Sequence, residues 1–265
     1  MLSHDRHPRV WQNHRPFRTL VVGAGGTGSK VVVGLKNLHL GLVALGFPGL
    51  NVVLADGDTV SESNLVRQNF YPSDVGLNKA EVLINRLNLA CGLAWRAYPG
   101  EIDGSYSRGY DRPELVIDCV DTRKARAVIA QGLENVVYFI SSGNLTNTGQ
   151  VVLGQPLGLN NRRARDRLRT AYELFPELCD ASIPETDTPS CSTLEALTKQ
   201  DLLVNDVAAT IILNLLWQLL RHGTLHHHGA FYSLTSGGVR PLPIDPKLWR
   251  RLARQPAARH TSPPP

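Results

Sequence analysis

The stretch VVGAGGTGS, Val21 to Ser29, decides the fold. It ends a short run of β-branched and leucine residues, RTLVV from Arg18, and passes straight into glycines. A buried strand that breaks into glycines and then a helix opens a strand–helix–strand unit suited to phosphate. Gly23 allows the tight turn out of the strand, Gly25 lets backbone approach a phosphate, and Gly28 permits close helix–strand packing. The helix from Thr27 then presents the partial positive charge of its N-terminus to an anion. On its own the pattern fits a nicotinamide or flavin oxidoreductase as well as a nucleotide-dependent ligase.

Outward from this stretch, strand and helix signals alternate. Apolar residues recur around most of the circumference from Thr27 to about Leu45, as in a helix buried against a sheet. LNVVLADGD, LAWRAYPGEI and ELVIDCVD read as further strands, and LNKAEVLINRLNLACG and TRKARAVIAQGLEN as the helices between and after them. VVYFISSGN and GQVVLGQP, separated by LTNT, read as a strand and its hairpin partner. NDVAATIILNLLWQLLRHG is an apolar helix closed by Gly223, and GAFYSLTSGGVRPLPI has hairpin chemistry around Gly237 and Gly238. The expected fold is α/β: a Rossmann-like, largely parallel sheet with helices on both faces, and additional antiparallel strands in the C-terminal half. The expected organisation is an extended arm over 1–17, one domain over 18–250 with an irregular crossover at 160–190, and a disordered tail over 251–265.

With 265 residues, the chain is long enough to bury its own core. Its four cysteines, Cys91, Cys119, Cys179 and Cys191, form no C-x-x-C pair, which argues against a four-cysteine zinc site and a disulfide framework. A reducing, cytoplasmic setting is expected. No apolar run approaches the length of a bilayer span. The net charge of +5 is concentrated in NRRARDRLR (Asn161 to Arg169) and at the two ends of the chain. Interspersed Asp and Leu make that run a solvated helix face or a docking surface for an acidic partner sooner than a nucleic-acid reader. The histidines His226 to His228 are read as a loop after a helix end, and metal binding by them is not expected.

Ligands of parallel sheets sit at the carboxyl ends of the strands, and three predicted strands end in chemically useful residues: the glycines, Asp56 with Asp58, and Asp118 with Asp121. Asp56 holds the place of the acid that takes ribose hydroxyls. Asn64, Arg67 and Gln68 follow in one loop, with Lys79 at a helix start. Hydride transfer needs no such cluster, whereas a triphosphate attacked at its α-phosphorus develops charge that Arg and Lys stabilise.

GAGGTG, DGDTVSESNLVRQ, DVGLNKAE, VIDCVDTRKAR and SSGNLTNTGQ, in this order, resemble the ThiF/MoeB/HesA adenylyltransferases, the bacterial relatives of ubiquitin-activating enzymes. SCSTLEALTKQDLLVNDVAATIILNLLWQL and RPLPIDP are similar to the ThiF-like proteins of PRTRC gene clusters, which also encode a small ubiquitin-like protein and a JAB-type peptidase. The resemblance implies that Gly25 and Gly26 line the phosphates of ATP, that Asp56 binds the ribose, that Asn64, Arg67 and Lys79 contact phosphates, and that Asp121 holds Mg²⁺. Asp118, three residues earlier, could equally be a hydrogen-bonded structural acid. The implied reaction is adenylation of the C-terminal carboxylate of a small ubiquitin-like or sulfur-carrier protein. Cys191, after Pro and Ser and before a predicted helix, is the candidate acyl acceptor, with Cys179 second. Three departures stand out: no zinc-binding cysteine pairs, Asp121-Thr122 where Asp-Asn is usual, and an N-terminal arginine, donated across a homodimer, that could be Arg9, Arg15 or Arg18. The rival readings are an NAD(P)-dependent oxidoreductase and an inactive nucleotide-binding scaffold.

Overall fold

The computed structural model describes residues 2–108, 112–164, 166–184 and 200–254. In chain order these form β1 (His4–Asp5), β2 (Phe17–Val22), α1 (Gly26–Ala44), β3 (Leu50–Ala55), α2 (Lys79–Cys91), β4 (Arg96–Tyr98), β5 (Leu115–Asp118), α3 (Arg123–Gln131), β6 (Tyr138–Asn144), β7 (Thr148–Gly154), α4 (Ala171–Leu174), α5 (Val204–Trp217), β8 (Thr224–Leu225), β9 (His227–Ser233), β10 (Gly238–Pro243) and α6 (Pro246–Leu252). An eight-stranded sheet runs in the order β10-β9-β7-β6-β5-β2-β3-β4. Pairings from β4 to β6 are parallel, and those of β6 with β7, β7 with β9 and β9 with β10 are antiparallel.

The order explains where a ligand must go. From β2 the chain proceeds outward through β3 to β4, then returns to β5 on the other side of β2. Right-handed crossovers therefore put α1 and α2 on one face and α3 on the other, and a crevice opens between the carboxyl ends of β2 and β5. β2 is buried along most of its length, and β5 is buried at all four residues, as a strand covered on both faces requires. α5 packs against α1 and the β6–β7 hairpin, and Ala208, Ile212, Leu215 and Leu216 are sealed in the core. After Trp217 the helix widens into a π turn, Gln218–His222, and Gly223 stops it at φ +78°.

Three local expectations are corrected. The arm is not simply extended: β1 pairs with β8, His4 Nε2 lies 2.9 Å from the Tyr138 hydroxyl, and Trp11 stacks on Phe47. Its aromatic and histidine side chains find core partners that lack of periodicity hid. Of the histidines expected in a loop, His226 lies in a bend but His227 and His228 open β9; His228 is fully buried, its Nδ1 2.8 Å from the Leu153 carbonyl, and Trp249 Nε1 donates to its Nε2 at 2.8 Å. The basic run is not a solvated helix face. Residues 161–163 form turns, buried Asn161 donates to the carbonyls of Val136, Val137 and Pro156, and Arg167 and Arg169 are both locked onto Glu173. Burial alone would raise the Glu173 carboxyl; Arg167, the Thr170 N–H and Arg169 outweigh it and hold it down to about 2. At the C-terminus α6 continues to Leu252, inside the expected tail, and 255–265 lie outside the described residues.

Candidate functional site

The glycines divide their labour. Gly23 turns the chain at φ +92°, and a Cβ there would lie 2.9 Å from the Cys119 carbonyl oxygen. At Gly28 a Cβ would fall 1.8 Å from the carbonyl oxygen of Gly23, so helix and strand meet closer than any side chain allows. Gly25, by contrast, faces open space, with nothing within 4 Å of an added Cβ. It caps α1 without a side chain, which leaves the first N–H groups of a 19-residue helix aimed at that space. Gly26 answers to something else: its Cβ would come 2.6 Å from the amide of Asn205, at the start of α5.

Hydrogen bonds tie the remaining elements to this loop. Half-buried Asp56 accepts the Ala24 N–H at 2.5 Å and the Asp58 N–H at 2.8 Å. Burial raises its carboxyl above the ordinary value, opposed by those two N–H groups and by Lys79. Asn78 caps α2 by accepting from Glu81 N, and its Nδ2 donates to the carbonyls of Asp56 and Asp58. Lys79 thereby reaches Asp58, Nζ to Oδ2 2.8 Å, with the lysine side chain only 8% exposed. The loop of Asn64, Arg67 and Gln68 is anchored through Asn69, whose N–H and Nδ2 donate to the hydroxyl and carbonyl of Ser29 on α1. Asn64 Oδ1 is used locally, accepting the Ser61 N–H.

Arg67 is the unusual group. Nη1 donates to Oε1 of Gln200 at 2.7 Å, Nε is buried without a hydrogen-bond partner, and among the described residues no carboxylate lies within ion-pair distance. Burial lowers its guanidinium below the ordinary value. A half-buried cation that faces, among the described residues, only a neutral amide is costly unless an anion joins it.

At the end of β5 the two acids separate. Asp118 is fully buried, accepting from Ser141 Oγ at 2.6 Å, Tyr172 Oη at 2.9 Å and Val120 N at 3.1 Å, with Arg126 Nε 3.7 Å away. Asp121 is exposed just beyond, before Thr122, which caps α3 by accepting the Ala125 N–H. Of the sulfurs, burial pushes the Cys119 thiol far up. Cys179 is half-buried, its Sγ 3.5 Å from the Pro176 carbonyl, and burial raises its thiol too. Cys191 lies outside the described residues. Its described flanks are held: Arg123 donates to the carbonyl of Pro184, and Gln200 accepts from Arg67. Arg15 and Arg18 are paired with Glu114 at the amino ends of β2 and β5, opposite the glycine loop, and Arg9 is exposed. A cavity of about 580 Å³ lies against the face of β2, β3 and β4, bordered by Leu20, Val53, Tyr98 and Arg96; no residue of the glycine loop lines it.

Glycine loop, Asp56, the Asn64–Gln68 loop and Lys79 are thus joined at the carboxyl edge of one sheet. The ThiF family profile matches residues 7–245. The chain belongs to the ThiF family. Its sequence is 33% identical over 148 residues to the adenylyltransferase and sulfurtransferase UBA4 of Eremothecium gossypii, covering 52% of this chain and 30% of that protein. It is 37% identical over 134 residues to the NEDD8-activating enzyme E1 catalytic subunit of Dictyostelium discoideum, covering 49% of this chain and 28% of that protein. The chain therefore spans about 30% of the length of these curated relatives. The fold of E. coli MccB, crystallised with ATP, superposes with a TM-score of 0.59 at 18% identity, over 89% of this chain and 66% of that one.

Behind the site of this ThiF-family chain stand residues to which sequence reading assigned no role: Gln200, Asn205, Asn144 and Tyr232, tied by hydrogen bonds to Arg67 and Thr27. Among the described residues no group of three or more His, Cys, Asp or Glu could hold a metal ion, and no helix is long and apolar enough to cross a membrane.

Proposed function

We propose that this ThiF-family protein is an ATP-dependent adenylyltransferase that activates the C-terminal carboxylate of a small ubiquitin-like or sulfur-carrier protein. The observation that carries the reading is Arg67, a half-buried cation beside the phosphate-type helix N-terminus with no carboxylate partner among the described residues. Hydride transfer develops no phosphate charge for such a cation to neutralise, whereas attack on the α-phosphorus does. The substrate carboxylate attacks the α-phosphorus of ATP, the bond to the β-phosphate oxygen breaks, and pyrophosphate leaves, so no proton transfer is needed. Catalysis is positioning and charge neutralisation: the first N–H groups of α1 and Arg67 act on the phosphates, Lys79 turns from Asp58 toward them, and Asp56 accepts from the ribose hydroxyls. Asp121 fits one Mg²⁺ ion, as an exposed carboxylate without enough neighbours to hold a metal unaided; the rest of its ligands would be phosphate oxygens and water, and it would screen phosphate charge.

The finer reading adds transfer of the acyl group to Cys191, in which the thiol loses its proton, the carbon–sulfur bond forms and AMP leaves. It also includes a homodimer, a cytoplasmic setting and a PRTRC-type pathway with a JAB-type peptidase. What supports it is likeness of sequence. The test is pyrophosphate–ATP exchange with ubiquitin-like proteins on wild type, Arg67→Ala and Asp121→Ala. Exchange in wild type with a drop of about a hundredfold or more in Arg67→Ala is the expected result. Exchange that Arg67→Ala leaves intact removes the assignment of Arg67.

A further inference from the structure

The cleft arginine is held by a relay of amides for which adenylation chemistry itself names no role. Gln200 Oε1 accepts from Arg67 Nη1 at 2.7 Å and lies 3.5 Å from Asn205 Nδ2. Asn205, 3% exposed, in turn accepts on Oδ1 from the Thr27 hydroxyl at 3.0 Å and from Asn144 Nδ2 at 2.9 Å. The Tyr232 hydroxyl fixes Asn144, donating to its Oδ1 at 2.6 Å. Thr27 belongs to the first turn of α1, and the Asn205 amide fills the space that any side chain at residue 26 would need. One chain of hydrogen bonds therefore runs from the guanidinium of Arg67 to the floor of the glycine loop.

Every member of that relay between Arg67 and Thr27 is uncharged. A carboxylate at residue 200 would orient Arg67 as well as an amide does, but would also neutralise it and compete with any incoming anion. An amide orients and leaves the charge undiminished. We propose that Gln200 and Asn205 are positioning residues that aim Arg67 at the space above Gly25 and keep its charge available to a phosphate group. The proposal rests on the reading of Arg67 as a phosphate ligand. It makes the neutrality of residue 200 a requirement for nucleotide binding and not for folding.

The test is a double-mutant cycle: wild type, Gln200→Glu, Arg67→Ala and the double variant, each titrated calorimetrically with ATP and melted in its absence. Gln200→Glu is expected to weaken ATP binding about tenfold or more, the size of a charge-assisted contact diverted, with an unchanged or higher melting temperature. In the Arg67→Ala background the same change is expected to have little further effect. Gln200→Leu, which removes the acceptor without adding charge, weakens binding to a smaller extent and serves if Gln200→Glu does not fold. The proposal is overturned if Gln200→Glu and Gln200→Leu bind ATP as wild type does while Arg67→Ala does not. It is also overturned if Gln200→Glu loses as much affinity without Arg67 as with it. Wild type that binds no ATP would instead sink the adenylation reading on which the proposal stands.

Discussion

Gly25 and Gly28 are three residues apart and answer to different demands. An alanine at 28 would drive its Cβ into the Gly23 carbonyl, backbone against backbone, whereas an alanine at 25 meets nothing. Gly28→Ala is therefore expected to destabilise the protein severely, by about 4 kcal/mol or more, read as lost soluble yield or a collapsed melting temperature. Gly25→Ala has room for its Cβ but takes up a backbone at φ −73° and ψ −148°, outside the broad β region, so it is expected to cost about 1–3 kcal/mol, well below Gly28→Ala, and to bind ATP about tenfold more weakly or worse, since the methyl group stands where phosphate would approach. Equal affinity in Gly25→Ala would move the ligand elsewhere. The turn at Gly23 and the packing at Gly28 were legible in the glycine spacing. The fit of Gly26 around Asn205 was not, because it joins residues 179 positions apart and a single Asn opening an apolar helix carries no periodic signal.

At the scale of elements, β9 shows where sequence patterning stops. The signature AFYS is a strand signature, but three histidines in front of it read as solvent-exposed loop. Two of them, His227 and His228, enter the sheet, where His228 is tolerated because both its ring nitrogens are occupied, by the Leu153 carbonyl and the Trp249 indole N–H of α6. That arrangement requires the neutral ring with its proton on Nδ1. Burial, partly opposed by the Leu153 carbonyl, lowers the imidazole to about 4, against about 6.5 for an unfolded chain. Between those values the unfolded chain binds the proton and the folded one does not. Stability present above pH 6.5 is thus lost progressively as pH falls toward 4, by about 3 kcal/mol from this group. Chemical denaturation from pH 7.5 to 5 is expected to show about 2 kcal/mol of this loss, and His228→Asn, whatever its stability at neutral pH, to show a shallower slope. An unaltered slope would assign the acid sensitivity to the other buried histidines. The basic run before Arg169 failed as a helix for a related reason. Its Arg167 and Arg169 serve Glu173 and its Asn161 serves three carbonyls, demands that outweigh local amphipathic spacing.

For the whole molecule, the alternation of strands and helices was enough to place the glycine loop, Asp56 and Asp118–Asp121 at the carboxyl ends of neighbouring strands, because parallel sheets admit few connections. What the alternation could not give is how the second half of the chain completes the first. α5, the residues just before it and the antiparallel strands β6, β7 and β9 bring Gln200, Asn205, Asn144 and Tyr232 under the glycine loop, and Asp118 is spent on Tyr172, Ser141 and Arg126, leaving Asp121 as the exposed acid. On the function proposed above, this edge holds the phosphates of ATP through a cation left without a carboxylate partner among the described residues. Calorimetric titration of wild type and Arg67→Ala with ATP and with NAD tests it most directly. Wild type is expected to bind ATP in preference to NAD, and Arg67→Ala to lose about tenfold or more of the ATP affinity. Binding of NAD at least as tight as ATP, with Arg67→Ala unaffected, would contradict it.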